Sequence, residues 1–109
     1  MGVTKTDHFT EGQNTVAEFA KAIAHPARVA ILEHLIRTDT CITGDLVDVL
    51  PLSQATVSQH LKELKKVGLI KGDIQGTSVC YCLDKTNWAD CISTFNSFFD
   101  RIRAASKCC

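Results

Sequence analysis

The sequence predicts a mainly α-helical domain that carries one small β-hairpin. Three observations predict it. Apolar residues recur at helical spacing in several separated stretches. Pro26, Pro51 and Gly68 fall between those stretches rather than inside them. Two short alternating runs, LIKGDI and SVCYCL, flank Gln75-Gly76-Thr77. With 109 residues, 45% of them apolar, the chain amounts to one domain with a modest core.

Each element has a local reason. In TVAEFAKAI, residues 15–23, Val16, Phe19, Ala20 and Ile23 share a helical face; AHP then interrupts, because the residue before Pro26 is biased away from the helical region. Pro26 can open the next helix, in which Val29, Leu32, Leu35 and Ile36 form the expected buried stripe and TDT is the stop. Thr43 is a cap for a short helix, GDLVDVL, which Pro51 ends. Ser53 caps a longer helix running to about Val67, closed by Gly68. On the second strand of the hairpin Val79, Tyr81 and Leu83 share one face and Cys80 and Cys82 the other. A last helix is expected from Asn87 to about Lys107.

Twelve basic residues balance twelve acidic ones, so no global charge points to nucleic acid or to a membrane surface. The signal is local. From Gln59 to Gly72, Lys62, Lys65, Lys66 and Lys71 face a single acid, Glu63. Taken alone, such a run reads as a solvated helix face. Its setting changes that reading: a short helix, the turn Pro51-Leu52-Ser53 and a second helix have the proportions of a helix-turn-helix. Val57, Leu61 and Leu64 turn one side of the second helix to the core. The other side presents Gln59, Lys62 and Lys66, with Thr56 and Ser58 on its flanks and Gln54 at the first turn. Amides, hydroxyls and ammonium groups with almost no acid are the chemistry that major-groove edges and phosphates require. His60 lies on the flank of this helix, where it packs or touches phosphate. A hairpin directly after such a helix is a wing, and its tip, Gln75, Gly76 and Thr77, is placed to meet neighbouring phosphates or the minor groove.

No apolar run is long enough to span a bilayer, and the polar start, MGVTKTDHFTEGQN, is neither a secretory signal nor an anchor, so a cytoplasmic protein without membrane contact is expected. In a reducing compartment six cysteines read as ligands or reagents rather than staples. No serine, histidine and acid arrangement and no glycine-rich phosphate loop supports an enzyme.

The stretches AHPARVAILEHL, LSQATVSQHLKELKKVGLI and GTSVCYCLD resemble the ArsR/SmtB family of metal- and metalloid-responsive repressors, over about residues 16 to 84. The resemblance implies a homodimer built from the first and last helices, which binds an inverted-repeat operator in double-stranded DNA and leaves it when an effector binds. The chain then divides into a helical core and dimerisation segment over 12–40, the helix-turn-helix over 43–67, the wing over 69–84 and a C-terminal dimerisation helix over 87–107, all within a single domain, 1–109.

Known effector sites of the family are mostly missing. Where one arsenic site has C-V-C-D-L, this chain has Ile42-Thr43-Gly44-Asp45-Leu46; where a zinc site needs Asp-x-His, Asp90 is followed by Cys91 and Ile92. Cys41 reads as a small buried hydrophobe, and Cys80 with Cys82 as strand filling. The remaining thiols are Cys91, Cys108 and Cys109. If the last helices pair antiparallel across the dimer, as the family implies, Cys91 of one protomer approaches Cys108 and Cys109 of the other. Three thiolates suit a soft trivalent centre, As(III) or Sb(III), or another soft metal, and a strained vicinal disulfide leaves the adjacent pair available. The alternatives are a thiol-based redox or reactive-sulfur sensor on the same scaffold, and a winged helix used only for protein interaction.

Overall fold

A computed structural model describes residues 8–38, 50–75 and 78–106, with the backbone alone at 73–75 and 78–80. The described elements are α1 (Glu11–Ile23), α2 (Pro26–Thr38), α3 (Gln54–Lys66), the strands β1 (Ile70–Gln75) and β2 (Ser78–Leu83), and α4 (Lys85–Ala104). Mostly helical with one antiparallel hairpin, this is the predicted fold class. The short helix expected over 44–50, with its Thr43 cap, falls almost entirely outside the described residues, as do Cys41, Gly76, Thr77, Cys108 and Cys109.

Caps set the helix boundaries. α1 begins four residues before the expected 15–23 because Thr10 and Gln13 close a reciprocal box: the Thr10 hydroxyl accepts from Gln13 N at 3.1 Å, and Gln13 Oε1 accepts from Thr10 N at 3.0 Å. At the start of α2, His25 Nδ1 accepts from Ala27 N at 3.0 Å, while Pro26 has no N–H to satisfy. Ser53 caps α3 by accepting from Thr56 N at 3.3 Å, and Asp84 caps α4 by accepting from Asn87 N at 3.2 Å. Gly68 ends the turn after α3 at a φ of 81°, where a Cβ would also stand 2.4 Å from Asn87 Nδ2. A glycine is required there on both counts.

The centre of the core draws one fully buried side chain from each of five neighbouring segments: Ile31 of α2, Leu64 of α3, Leu69 of the turn, Ile70 of β1 and Cys91 of α4. Burying an aliphatic side chain of this size contributes about 1.5–3 kcal/mol. The expected stripe of α2 is corrected here. Leu32 and Leu35 are buried together with Ile31, but Val29 and Ile36 are 44% and 63% exposed. They face away from the protomer core and line an apolar groove of about 600 Å³ with Trp88, Ala89 and Ile92 of α4.

The wing pairs in register from Ile70 opposite Leu83 to Gln75 opposite Ser78. Tyr81 and Leu83 pack against the core, as their shared face predicts, and Cys82 is half-buried. No described helix is long and apolar enough to cross a membrane.

Candidate nucleic-acid interface and the thiols

On α3 the division of faces follows the sequence closely. Val57, Leu61 and Leu64 are buried, while Gln54, Thr56, Ser58, Gln59, Lys62 and Lys66 are all exposed. The Thr56 hydroxyl lies 3.0 Å from the Ser53 hydroxyl, so its rotamer is set by the cap. Lys65 and Lys66 end the helix, where cations also complement its dipole. The helix's acid, Glu63, is half-buried and lines a cleft with Lys21, Arg28 and Lys66. The result is a polar, cationic strip with no large apolar residue exposed. Gln75 closes β1, and Gly76 and Thr77 lie outside the described residues.

Of the two expectations for His60, the structure shows packing. It is 8% exposed and turned into the protein, so it is removed from the set of DNA contacts. Its Nδ1 accepts from Arg28 Nε at 3.2 Å, and its ring lies 4.4 Å from that of His25, centre to centre. Burial pushes the His60 imidazole below its ordinary value, with His25 and Arg28 adding like charge. Arg28 also spans the corner between α1 and α2, donating from Nη1 to the carbonyls of Ala22 at 3.0 Å and Lys21 at 3.3 Å. It therefore holds backbone and imidazole together.

Sequence reasoning missed a second junction, at the far end of α3. Asn87 Nδ2 donates to the Gly68 carbonyl at 2.9 Å, and Trp88 Nε1 donates to the Leu69 carbonyl at 2.8 Å. Asp84 N also donates to Leu69 O, at 3.2 Å. The first turn of α4 thus grips the turn that ends α3 and starts the wing. The available signal was Asn87 and Trp88 one turn after the Asp84 cap.

The thiols do not gather among the described residues, and no three His, Cys, Asp or Glu side chains there are placed to share a metal ion. Cys91 lies at 0% exposure inside its own protomer, where burial pushes its thiol up towards the protonated form. A partner subunit can only add to that burial. For Cys91 to meet a partner's Cys108 and Cys109, as expected, its side chain would have to leave this buried position.

Fold and interface together define a winged helix-turn-helix. A helix-turn-helix domain family matches residues 23–73. The chain is 40% identical over 70 residues to the HTH-type transcriptional repressor SmtB of Mycobacterium tuberculosis, a match covering 64% of this chain and 51% of that protein. The chain therefore spans about half the length of this relative. To the HTH-type transcriptional regulator Rv2034 of the same organism it is 37% identical over 81 residues, covering 74% of this chain and 75% of the relative. Among solved structures, one described as a possible transcriptional regulator for arsenical resistance superposes with a TM-score of 0.68 at 29% identity, covering 83% of this chain and 98% of the other. The chain belongs to the ArsR/SmtB family of winged helix-turn-helix transcriptional regulators.

Proposed function

We propose that this chain is a cytoplasmic, homodimeric, DNA-binding repressor that leaves its inverted-repeat operator when a soft metalloid, As(III) or Sb(III), binds the thiolates of Cys108 and Cys109. The observation that carries the DNA-binding reading is the exposed face of α3, whose six predicted residues all reach solvent while Val57, His60, Leu61 and Leu64 are buried on the opposite side. Gln54, Thr56, Ser58 and Gln59 address base edges and the backbone; Lys62 and Lys66 neutralise phosphates. The wing tip, Gln75 to Thr77, adds a contact on the flanking duplex.

Dimerisation presents two copies of α3 to successive major grooves, about 34–36 Å apart. The exposed stripe Ile92, Phe99 and Ile102 on α4 supports that assembly. Repression and sensing then communicate through the grip of Asn87 and Trp88 on Gly68 and Leu69. A shift of α4 at the dimer interface moves the end of α3 with it, and a dimer whose readers no longer match the groove spacing loses affinity. A vicinal dithiol supplies soft sulfur donors to a trivalent centre.

The test uses the reduced protein and a fluorescent duplex that it selects from a random-sequence pool. Binding should weaken steeply with added salt, as phosphate contacts demand, and arsenite should release the duplex. A Cys108→Ser, Cys109→Ser variant should bind the duplex and ignore arsenite. A salt-independent complex would make the winged helix a protein-interaction module; release by oxidants or persulfides but not arsenite would make it a redox or reactive-sulfur sensor.

A further inference from the structure

Arg28, His25 and His60 form a cluster that neither reads DNA nor carries an effector in the scheme above, yet it joins α3 to the corner between α1 and α2. We propose that these three residues are a proton-sensitive latch that fixes the position of the recognition helix, so that uptake of a proton by His60 weakens operator binding. The inference rests on the DNA-binding reading and extends it to a regulation built into the same helix.

The geometry assigns the protons. Arginine only donates, so His60 Nδ1, 3.2 Å from Arg28 Nε, must accept, and the ring's single proton sits on Nε2. His25 Nδ1 likewise accepts, from Ala27 N. His60 is therefore neutral in the latched state, and its ring is tilted by 49° to that of His25, with centres 4.4 Å apart. A proton added at His60 Nδ1 would set an N–H against the Arg28 N–H and a cation against a guanidinium that cannot give up its charge. The bond from α3 to Arg28 must then break, while Arg28 keeps its backbone anchors at Lys21 and Ala22.

The surrounding charges do not rescue the protonated form. Glu18 and Lys21 of α1 and Glu63 and Lys66 of α3 line a cleft of about 320 Å³ beside Arg28, two acids balanced by two bases. The groups that act on His60 itself, His25 and Arg28, both oppose its charging, and so does its burial. Because the folded state disfavours the charged ring, the latch is complete above the ordinary histidine value of 6.5 and is lost as pH falls through the lowered native value. His60 lies between Gln59 and Leu61, one turn from Thr56 and next but one to Lys62, so its release frees the middle of the reader face.

The experiment measures affinity for the duplex selected by the wild-type protein at about pH 7.5, then repeats it at about pH 5.5 at constant ionic strength. Asparagine places an oxygen acceptor near the Nδ1 position but does not titrate, and it is also a good helix cap. Wild type should lose about threefold to tenfold in affinity on acidification, the worth of one hydrogen bond. His60→Asn should hold its affinity within about twofold, and His25→Asn, which removes a group that opposes charging of His60, should move the fall in affinity to higher pH. Ring NMR signals of His60 in the unmodified protein supply a second readout, and their titration midpoint should coincide with the fall in affinity. Equal pH slopes in wild type and His60→Asn, or a His60 midpoint that does not track binding, would overturn the latch alone. Failure of the wild type to select any duplex would overturn the DNA-binding reading and this inference with it.

Discussion

α3 and α4 are built alike at their ends and differently along their outer faces. Each opens on a side-chain cap, Ser53 or Asp84, each ends with basic residues in its last turn, and each buries one side against the same core. Outside, α3 shows amides, hydroxyls and lysines, whereas α4 shows Ile92, Phe99 and Ile102, spaced seven and three residues apart along one stripe. A large apolar side chain left in water forgoes about 1.5–3 kcal/mol of burial. An α4 stripe of three such residues therefore fits a protein partner, and Val29 and Ile36 of α2 continue it through Ile92 into the apolar groove. The α3 surface instead fits a partner made of hydrogen-bonding edges and negative charge. The contrast teaches that the two helices divide the work: one is shaped for another protein surface, the other for a polyanion.

The comparison breaks most completely at the core that both helices share. Leu64→Ala, at a position with 0% exposure, should lower the unfolding free energy by about 2–5 kcal/mol. Urea denaturation followed by circular dichroism measures it; a loss below about 1 kcal/mol would mean that α3 is held without this contact. Next in size is Ile92→Glu on the α4 stripe. Protomer stability should change by no more than about 0.5 kcal/mol, while self-association in sedimentation experiments should weaken about tenfold or more. Unchanged association would assign the stripe to a different partner.

The contrast was unevenly legible in the sequence. The period of Val57, Leu61 and Leu64 and the Ser53 and Gly68 boundaries placed α3 to within a residue, because caps and spacing are local properties. The hairpin was legible for the same reason. The face of α2 was not: Val29, Leu32, Leu35 and Ile36 satisfy a helical stripe, but which apolar flank meets the core depends on where α3 and α4 stand, and Ile31 took the place expected for Val29 and Ile36. His60 was left open between packing and phosphate for a related reason. Its residue type suits a phosphate contact, and only the distant Arg28 and His25 show that it turns inward. Cys91 was placed beside the terminal pair by the antiparallel helix pairing that the family resemblance implies, whereas its burial is set by packing across five segments.

Cys91 gives the third prediction. Cys91→Ala should cost about 1 kcal/mol, for lost packing around a small buried thiol. For a thiol held in its protonated form, stability is full below the ordinary value of 9.0 and falls as pH rises beyond it, so the variant should lose part of that alkaline decline. Its duplex should still be released by arsenite as in the wild type. Loss of release with binding intact would restore Cys91 to the effector site and require α4 to unpack when the ligand binds.

The smallest expected effect tests the polyanion side of the comparison. Lys62 is exposed on α3, and alanine is at least as good a helix former, so Lys62→Ala should leave the fold unchanged. A lysine that neutralises one phosphate releases about one counterion, and its removal should reduce the slope of log affinity against log salt by about one unit. The loss should be the same on the selected duplex and on an unrelated one, because a phosphate carries no sequence information. Gln59→Ala should behave in the opposite way, narrowing the preference for the selected duplex with little change in slope. If Lys62→Ala instead altered the preference and left the slope intact, Lys62 would be reading bases, and the division between cationic and hydrogen-bonding residues on α3 would have to be redrawn.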